Sequence, residues 1–281
     1  MKDALQAHFE ACSKAKIPHR DISVGNILIT EEGGILIDWD FSKPLDMITH
    51  ERSATWQFMS AKLLLNENPP VPHLIADDCE AFYHVLCWMF WKYCRHTLTD
   101  CEVSEKLAAI YDWSWQGDQN VVTGGTQKML VLRAQEMERR KWALGDQTPI
   151  VNLILQLEDA LSVRYVSPPN VPEELLYRDL ASRYPADAPV LKCQKAWKFE
   201  TYVPKLESSE WFWEQFRVAT LDPTKLQDPP VLRKVTNRDD SRTANLKTKT
   251  LIIPEQDKDK ELPAPKKQRL APRPKSGLRR K

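Results

Sequence analysis

Two short runs near the N-terminus hold the residues with the clearest capacity for chemistry. His19-Arg20-Asp21 is followed by Ile22-Ser23-Val24-Gly25-Asn26, and twelve residues after Asn26 comes Asp38-Trp39-Asp40-Phe41. Asp21 is a carboxylate able to accept or orient the proton of an attacking hydroxyl. Asn26 offers an amide oxygen and Asp38 a carboxylate, oxygen ligands of the kind that hold Mg²⁺ against phosphates. Each string alone is a weak signal. Their order and spacing together are much less expected by chance.

The spacing has a physical reason in the elements between them. Ile27-Leu28-Ile29-Thr30 and Ile35-Leu36-Ile37 are β-branched runs around Glu31-Glu32-Gly33-Gly34, a hairpin signal. A three-residue turn pairs Thr30 with Gly34, then 29 with 35, 28 with 36, 27 with 37 and 26 with 38. In that register Asn26 and Asp38 face each other at the open end of the hairpin. Upstream, residues 2–16 have helical spacing with Leu5, His8, Phe9 and Cys12 on one side, and Pro18 ends the helix. Residues 39–75 lack periodicity and read as an extended loop with one short helix. Asp77-Asp78-Cys79-Glu80 then opens a helix with an Asp-x-x-Glu variant of the capping box. From Ala81 to Tyr93 that helix is apolar nearly all round, so it belongs in the middle of a core. Further helices are expected at about 103–112, 126–143, 149–162, 172–183 and 207–219.

The 281 residues suffice for a substantial core, and 10 Trp, 8 Phe and 7 Tyr argue for one. A net charge of +1 hides an asymmetry. Residues 266–281 carry eight Lys or Arg and no acid, while residues 1–265 carry 32 basic and 39 acidic side chains. Beyond about Leu221 periodicity stops, and 221–281 is expected to be a disordered, basic, Pro-rich tail. The six cysteines show no CxxC pair and no disulfide framework. Cys94, His96 and Cys101 are close in sequence, but their spacing after an apolar helix reads as buried thiols and a helix end rather than a metal site. With neither a signal peptide nor an apolar stretch of ~18 residues, the chain reads as intracellular, cytoplasmic or nuclear, with no membrane partner.

The stretches HRDISVGNILI, LIDWDFSK, TWQFMSAKLL and DDCEAFYHVLCWM resemble the fungal-type protein kinases, a divergent branch of the protein-kinase superfamily, over about residues 1–165. The resemblance implies a mainly helical, protein-kinase-like C-terminal lobe (1–220) with a small β-hairpin at the catalytic loop. It implies ATP and Mg²⁺ as cofactors, and phosphoryl transfer to Ser or Thr of a protein substrate. Asp21 would be the catalytic base within the His19-Arg20-Asp21 loop, and Asn26 and Asp38 the Mg²⁺ ligands. Arg20 would pair with a phosphate or acid in the activation segment, where Ser42, Thr49, Ser53 and Thr55 are the candidate phosphosites. Asp78 would tie down the catalytic-loop backbone.

The sequence departs from the wider kinase pattern at four places. Ser23 stands where many kinases have a phosphate-contacting Lys, Asp40 replaces the Gly of D-F-G, and Lys62 replaces the Glu of A-P-E. The N-terminal lobe with its glycine loop is absent from the sequence, since Gly124-Gly125 falls in the wrong order to supply it. Two other readings stay open: a degenerate lobe acting as an interaction module, and a small-molecule phosphotransferase. Against the latter stand Arg20 and residues 55–64. A partner supplying or covering the missing lobe is expected. The tail residues Lys266, Lys267, Arg269, Arg279, Arg280 and Lys281 suit a nuclear-import signal, and nucleic acid is not expected as a partner.

Overall fold

The protein is described by a computed structural model covering residues 1–45, 51–52, 54–65, 71–116, 122–145, 148–222 and 251–252. It is mainly helical, with short antiparallel strand pairs. Helix α1 (Lys2–Ala15) leads through a loop to strands β1 (Ile27–Thr30) and β2 (Gly33–Leu36). Then follow β3 (Glu51–Arg52), α2 (Ala61–Leu64), α3 (Ile75–Tyr93), α4 (Asp100–Leu107) and a π-helical turn, Ala108–Asp112. Strands β4 (Ser114–Gln116) and β5 (Val122–Gly124) precede α5 (Thr126–Ala134), α6 (Glu136–Arg139) and α7 (Pro149–Ser162). The described chain closes with α8 (Val171–Arg183), α9 (Pro189–Lys192), α10 (Lys195–Tyr202), α11 (Glu210–Ala219) and β6 (Leu251–Ile252), which pairs with β3. Apart from β6, the basic tail with Lys266, Lys267, Arg269, Arg279, Arg280 and Lys281 lies outside the described residues, as do Thr49 and Ser53.

Helix α3 is the central post, with thirteen of its nineteen residues buried. Phe82, Tyr83, Val85, Phe90 and Trp91 point in different directions around it into one core shared with α1, α7 and α11. Its start differs from the sequence reading. The helix begins at Ile75, so Asp77 is the third helical residue, and its carboxylate accepts the Leu74 amide at 2.7 Å. Reading Asp77 as the cap puts the start three residues late, because the same carboxylate reaches backwards from inside the first turn.

The helix expected at 126–143 is broken at Gln135, whose φ of 49° ends α5 and starts α6. Helices α9 and α10, unmarked in the sequence, fill the stretch before α11. Among the Trp-bearing helices, Trp91 is core and Trp213 stacks on Phe9 of α1 with centroids 6.0 Å apart, whereas Trp113 is exposed.

Candidate active site

The hairpin that leads to Asp38 is one step tighter than the sequence suggested. Thr30 pairs with Gly33, Ile29 with Gly34, Leu28 with Ile35 and Ile27 with Leu36. Glu31 and Glu32 make the turn with negative φ, and Gly33 takes the positive one at 139°. A side chain there would meet the Asp3 carboxylate at 3.0 Å, and that carboxylate accepts the Gly34 amide at 2.9 Å. The first turn of α1 thus fixes β2, and with it the register. Consequently Asn26 opposes Ile37, whose amide bonds the Asn26 carbonyl at 3.0 Å, and Asp38 is the first residue past the ladder. Because side chains alternate along a strand, a one-residue shift reverses which face each presents. Asp38 departs from the strand with φ 65°, a left-handed turn that replaces the expected cross-strand pairing.

Asp21 is buried and held on both sides. The Asn26 side-chain amide donates to the Asp21 carbonyl at 2.8 Å and to its Oδ2 at 3.1 Å. The Thr55 amide donates to Oδ1 at 2.7 Å. With Asn26 Nδ2 committed to Asp21, its amide oxygen is the atom left to meet a cation. Asp38 is exposed, and its carboxylate has no hydrogen-bond or ion-pair partner among the described residues. One carboxylate and one amide oxygen suit Mg²⁺, which takes few protein ligands and completes its shell with phosphate and water oxygens. Among the described residues no three His, Cys, Asp or Glu side chains gather to hold a metal by themselves. His96 instead bonds the Trp91 carbonyl at 2.9 Å, and Cys101 is exposed on α4.

Asp78, on the first turn of α3, supports the loop from below. Its carboxylate accepts the His19 amide at 2.7 Å and the Arg20 amide at 3.1 and 3.2 Å. His8 of α1 and His73 donate to the same group at 2.9 and 2.7 Å. Burial pushes the Asp78 carboxyl up, but His73 and His8 outweigh it and hold the group well below the ordinary carboxylate range. This convergence lets Arg20 adopt a φ of 72°, a strained conformation for a non-glycine residue. The Arg20 guanidinium is largely buried and donates to the Pro44 carbonyl at 3.2 Å. Burial lowers its pKa, against the pull of Asp78.

His19 is fixed by two neighbours. Nε2–H donates to the Ile37 carbonyl at 2.9 Å and Nδ1 accepts the Asp21 amide at 3.3 Å, which sets the tautomer. Trp39 packs edge-on to the ring at 4.6 Å. Burial lowers the His19 pKa, so the ring stays neutral. Asp40 is exposed and has no left-handed φ, so this position does not require the glycine of D-F-G. Of the described candidate phosphosites, Ser42 closes a turn onto the Trp39 carbonyl, and Thr55 binds Asp21 through its amide.

Several residues of the site's support were not singled out from the sequence. Glu80 and Lys128 join the segment at 55–62 to the core, Arg164 braces Glu80, and Ser209 completes the shell around His8. Lys128 carried a usable signal, being a charge on the helical face of Val131 and Leu132. For the others the partners are far apart in sequence.

Neither the curated proteins nor the solved structures compared with this chain gave a match. Residues 1–90, which run from α1 through the Asp21 loop, the hairpin and most of α3, match the family model of the fungal protein kinases.

Proposed function

We propose that the chain is the catalytic lobe of a protein kinase, transferring the γ-phosphoryl group of ATP to a Ser or Thr hydroxyl of a protein substrate. The observation that carries this reading is the Asp21 carboxylate, gripped at Oδ1 by the Thr55 amide and at Oδ2 by Asn26, on a loop anchored to Asp78. Such a carboxylate is pre-set to receive a hydroxyl proton without reorganising. Asn26 and Asp38 would hold Mg²⁺, which when bound neutralises phosphate charge during transfer. Arg20 and the hydroxyls of Ser42, Thr49, Ser53 and Thr55 supply the means for control by phosphorylation.

Leu28 and Ile35, a cross-strand pair on one face of the hairpin, are 44% and 48% exposed. They would form the apolar floor on which a nucleotide rests, under a covering lobe supplied in cis or by a partner. The basic tail is proposed as a targeting segment, and its removal from a tagged protein would move it out of the nucleus. No described helix is long and apolar enough to cross a membrane.

The test uses two conservative changes. Asp38→Asn should abolish Mg²⁺-dependent nucleotide binding. Asp21→Asn should leave binding intact and remove transfer, measured with the covering lobe present. Equal loss of binding in both variants would make Asp21 a structural residue.

A further inference from the structure

Lys128, on the first turn of α5, is 1% exposed and has no part in the chemistry above. Its ammonium forms no ion pair among the described contacts. It donates instead to the backbone carbonyls of Met59 at 2.8 Å and Trp56 at 3.3 Å. Those carbonyls end a single tight turn, in which Phe58 and Met59 amides both bond the Thr55 carbonyl at 3.0 and 3.2 Å. At the opposite end of the same turn, the Thr55 amide holds Asp21. A helix-like turn is positive at its amide end and negative at its carbonyl end, so each end meets the opposite charge.

We propose that Lys128 is a positioning residue for Asp21: it anchors the turn of residues 55–59 so that the Thr55 amide stays on the Asp21 carboxylate. The rest of the packing is built for this contact. Gly124 lets the approach to α5 lie against the turn, and Gly125 lets it lie against α2 just beyond. A Cβ on Gly124 would come within 2.4 Å of the Trp56 ring, and one on Gly125 within 2.8 Å of the Ala61 carbonyl. Gln57 on the turn donates to Asp112 at 2.7 Å, a second tie to the core.

The charged and titratable groups facing Lys128 are Glu80 and His84 from α3, and Asp112 and Tyr111 from the π-helical turn. The turn itself presents only carbonyls. Glu80 is occupied by Arg164 and Tyr165, and Asp112 by Gln57. Burial therefore dominates and lowers the Lys128 pKa to about 7, with Glu80 and Asp112 opposing. A neutral amine still has two N–H donors for the two carbonyls but lacks the charge that strengthens both bonds. The anchor should weaken as pH rises through neutrality.

As a positioning role, this rests on the reading of Asp21 as the catalytic base, but the anchor can be tested without substrate. In nuclear magnetic resonance of the full chain, the Thr55 amide resonance should show a titration step between about pH 6 and 8. In Lys128→Met that step should vanish and Thr55 amide exchange should rise about tenfold or more, with protection along α3 unchanged. A step that persists in Lys128→Met, Thr55 exchange equal to wild type, or loss of protection throughout the core would each overturn the proposal. Should Lys128→Met not fold, the wild-type titration decides, and the absence of a Thr55 step overturns it. With the covering lobe present, Lys128→Met should lower kcat and leave the nucleotide KM unchanged. Transfer that survives Asp21→Asn would sink the kinase reading while leaving the anchor intact, so the two failures are distinct.

Discussion

Arg164, just past α7, donates through Nη1 to Glu80 on α3 at 2.6 Å, and its second nitrogen reaches Asp77 one turn earlier. The other Glu80 oxygen accepts the Ala61 amide at 2.7 Å, so the pair holds the start of α2. Lys62, on α2, bonds through its amide to the Tyr165 hydroxyl at 3.2 Å. Glu80→Gln should destabilise the protein by roughly 3–5 kcal/mol, because it leaves a buried guanidinium short of charge. Urea unfolding measures this directly.

The same residue predicts a pH dependence. Burial pushes Glu80 up, but Arg164 and the bonds from His84 and Tyr165 win and lower it to about 2. Asp78 is depressed as well, by His73 and His8. A carboxylate with a lower pKa folded than unfolded contributes stability above the unfolded value, near 4, and loses it as pH falls towards the folded value. Stability should therefore drop steeply from about pH 5 to pH 2, and Glu80→Gln should flatten that limb. An acid limb identical in wild type and variant would contradict the assignment.

Gly125 has φ 79° and lies against the Ala61 backbone. Gly125→Ala combines a strained backbone with a contact that only backbone movement relieves. A loss of roughly 2–4 kcal/mol is expected, read as a lower urea midpoint at unchanged slope. An unaltered midpoint would mean that α5 can shift away from α2.

How much of this was legible in advance differs by scale. The helix periodicity of α1, α3 and α7 and the hairpin between Asn26 and Asp38 follow from local apolar spacing, which is written in neighbouring residues. The hairpin register was not, because Asp3 fixes it from 31 residues away. The Asp21 loop was recognisable as a string. Its clamps, Lys128 and the Glu80–Arg164 pair, come from separations of 69 to 84 residues and leave no local trace beyond one lysine on an apolar face. Helix α10 was missed because it is short and only Ala196 is fully buried.

Nucleotide affinity is expected to be low for the chain by itself. In the proposed reading Asn26 and Asp38 would hold the metal from one side, and exposed Mg²⁺ and phosphate contacts are screened by water. Calorimetry should give a Kd for ATP with Mg²⁺ of about 1 mM or weaker, roughly 4 kcal/mol of binding free energy. Micromolar affinity, with turnover abolished by Asp21→Asn, would refute the prediction.

Alanine at Ser42, Thr49, Ser53 and Thr55 together should remove any gain in transfer rate produced by phosphorylation, while keeping the basal rate within about tenfold. Retention of the full phosphorylation response would place its target elsewhere.

His8 binds Asp78 with one ring nitrogen and the Ser209 hydroxyl with the other, at 2.9 Å each. Those two contacts span 70 and 201 residues of sequence. A nascent chain emerging from the ribosome would have its Asp21 loop synthesised long before Ser209 exists, so the loop's foundation closes only after α11 has been made. Loop closure over such a distance is slow. Chains halted before residue 209 should leave His8 exchanging with solvent and the Asp21 loop unsettled, even with residues 1–90 complete. The last described helix is then expected to be the keystone of folding for the first, with residues far outside the family match setting when the site is assembled.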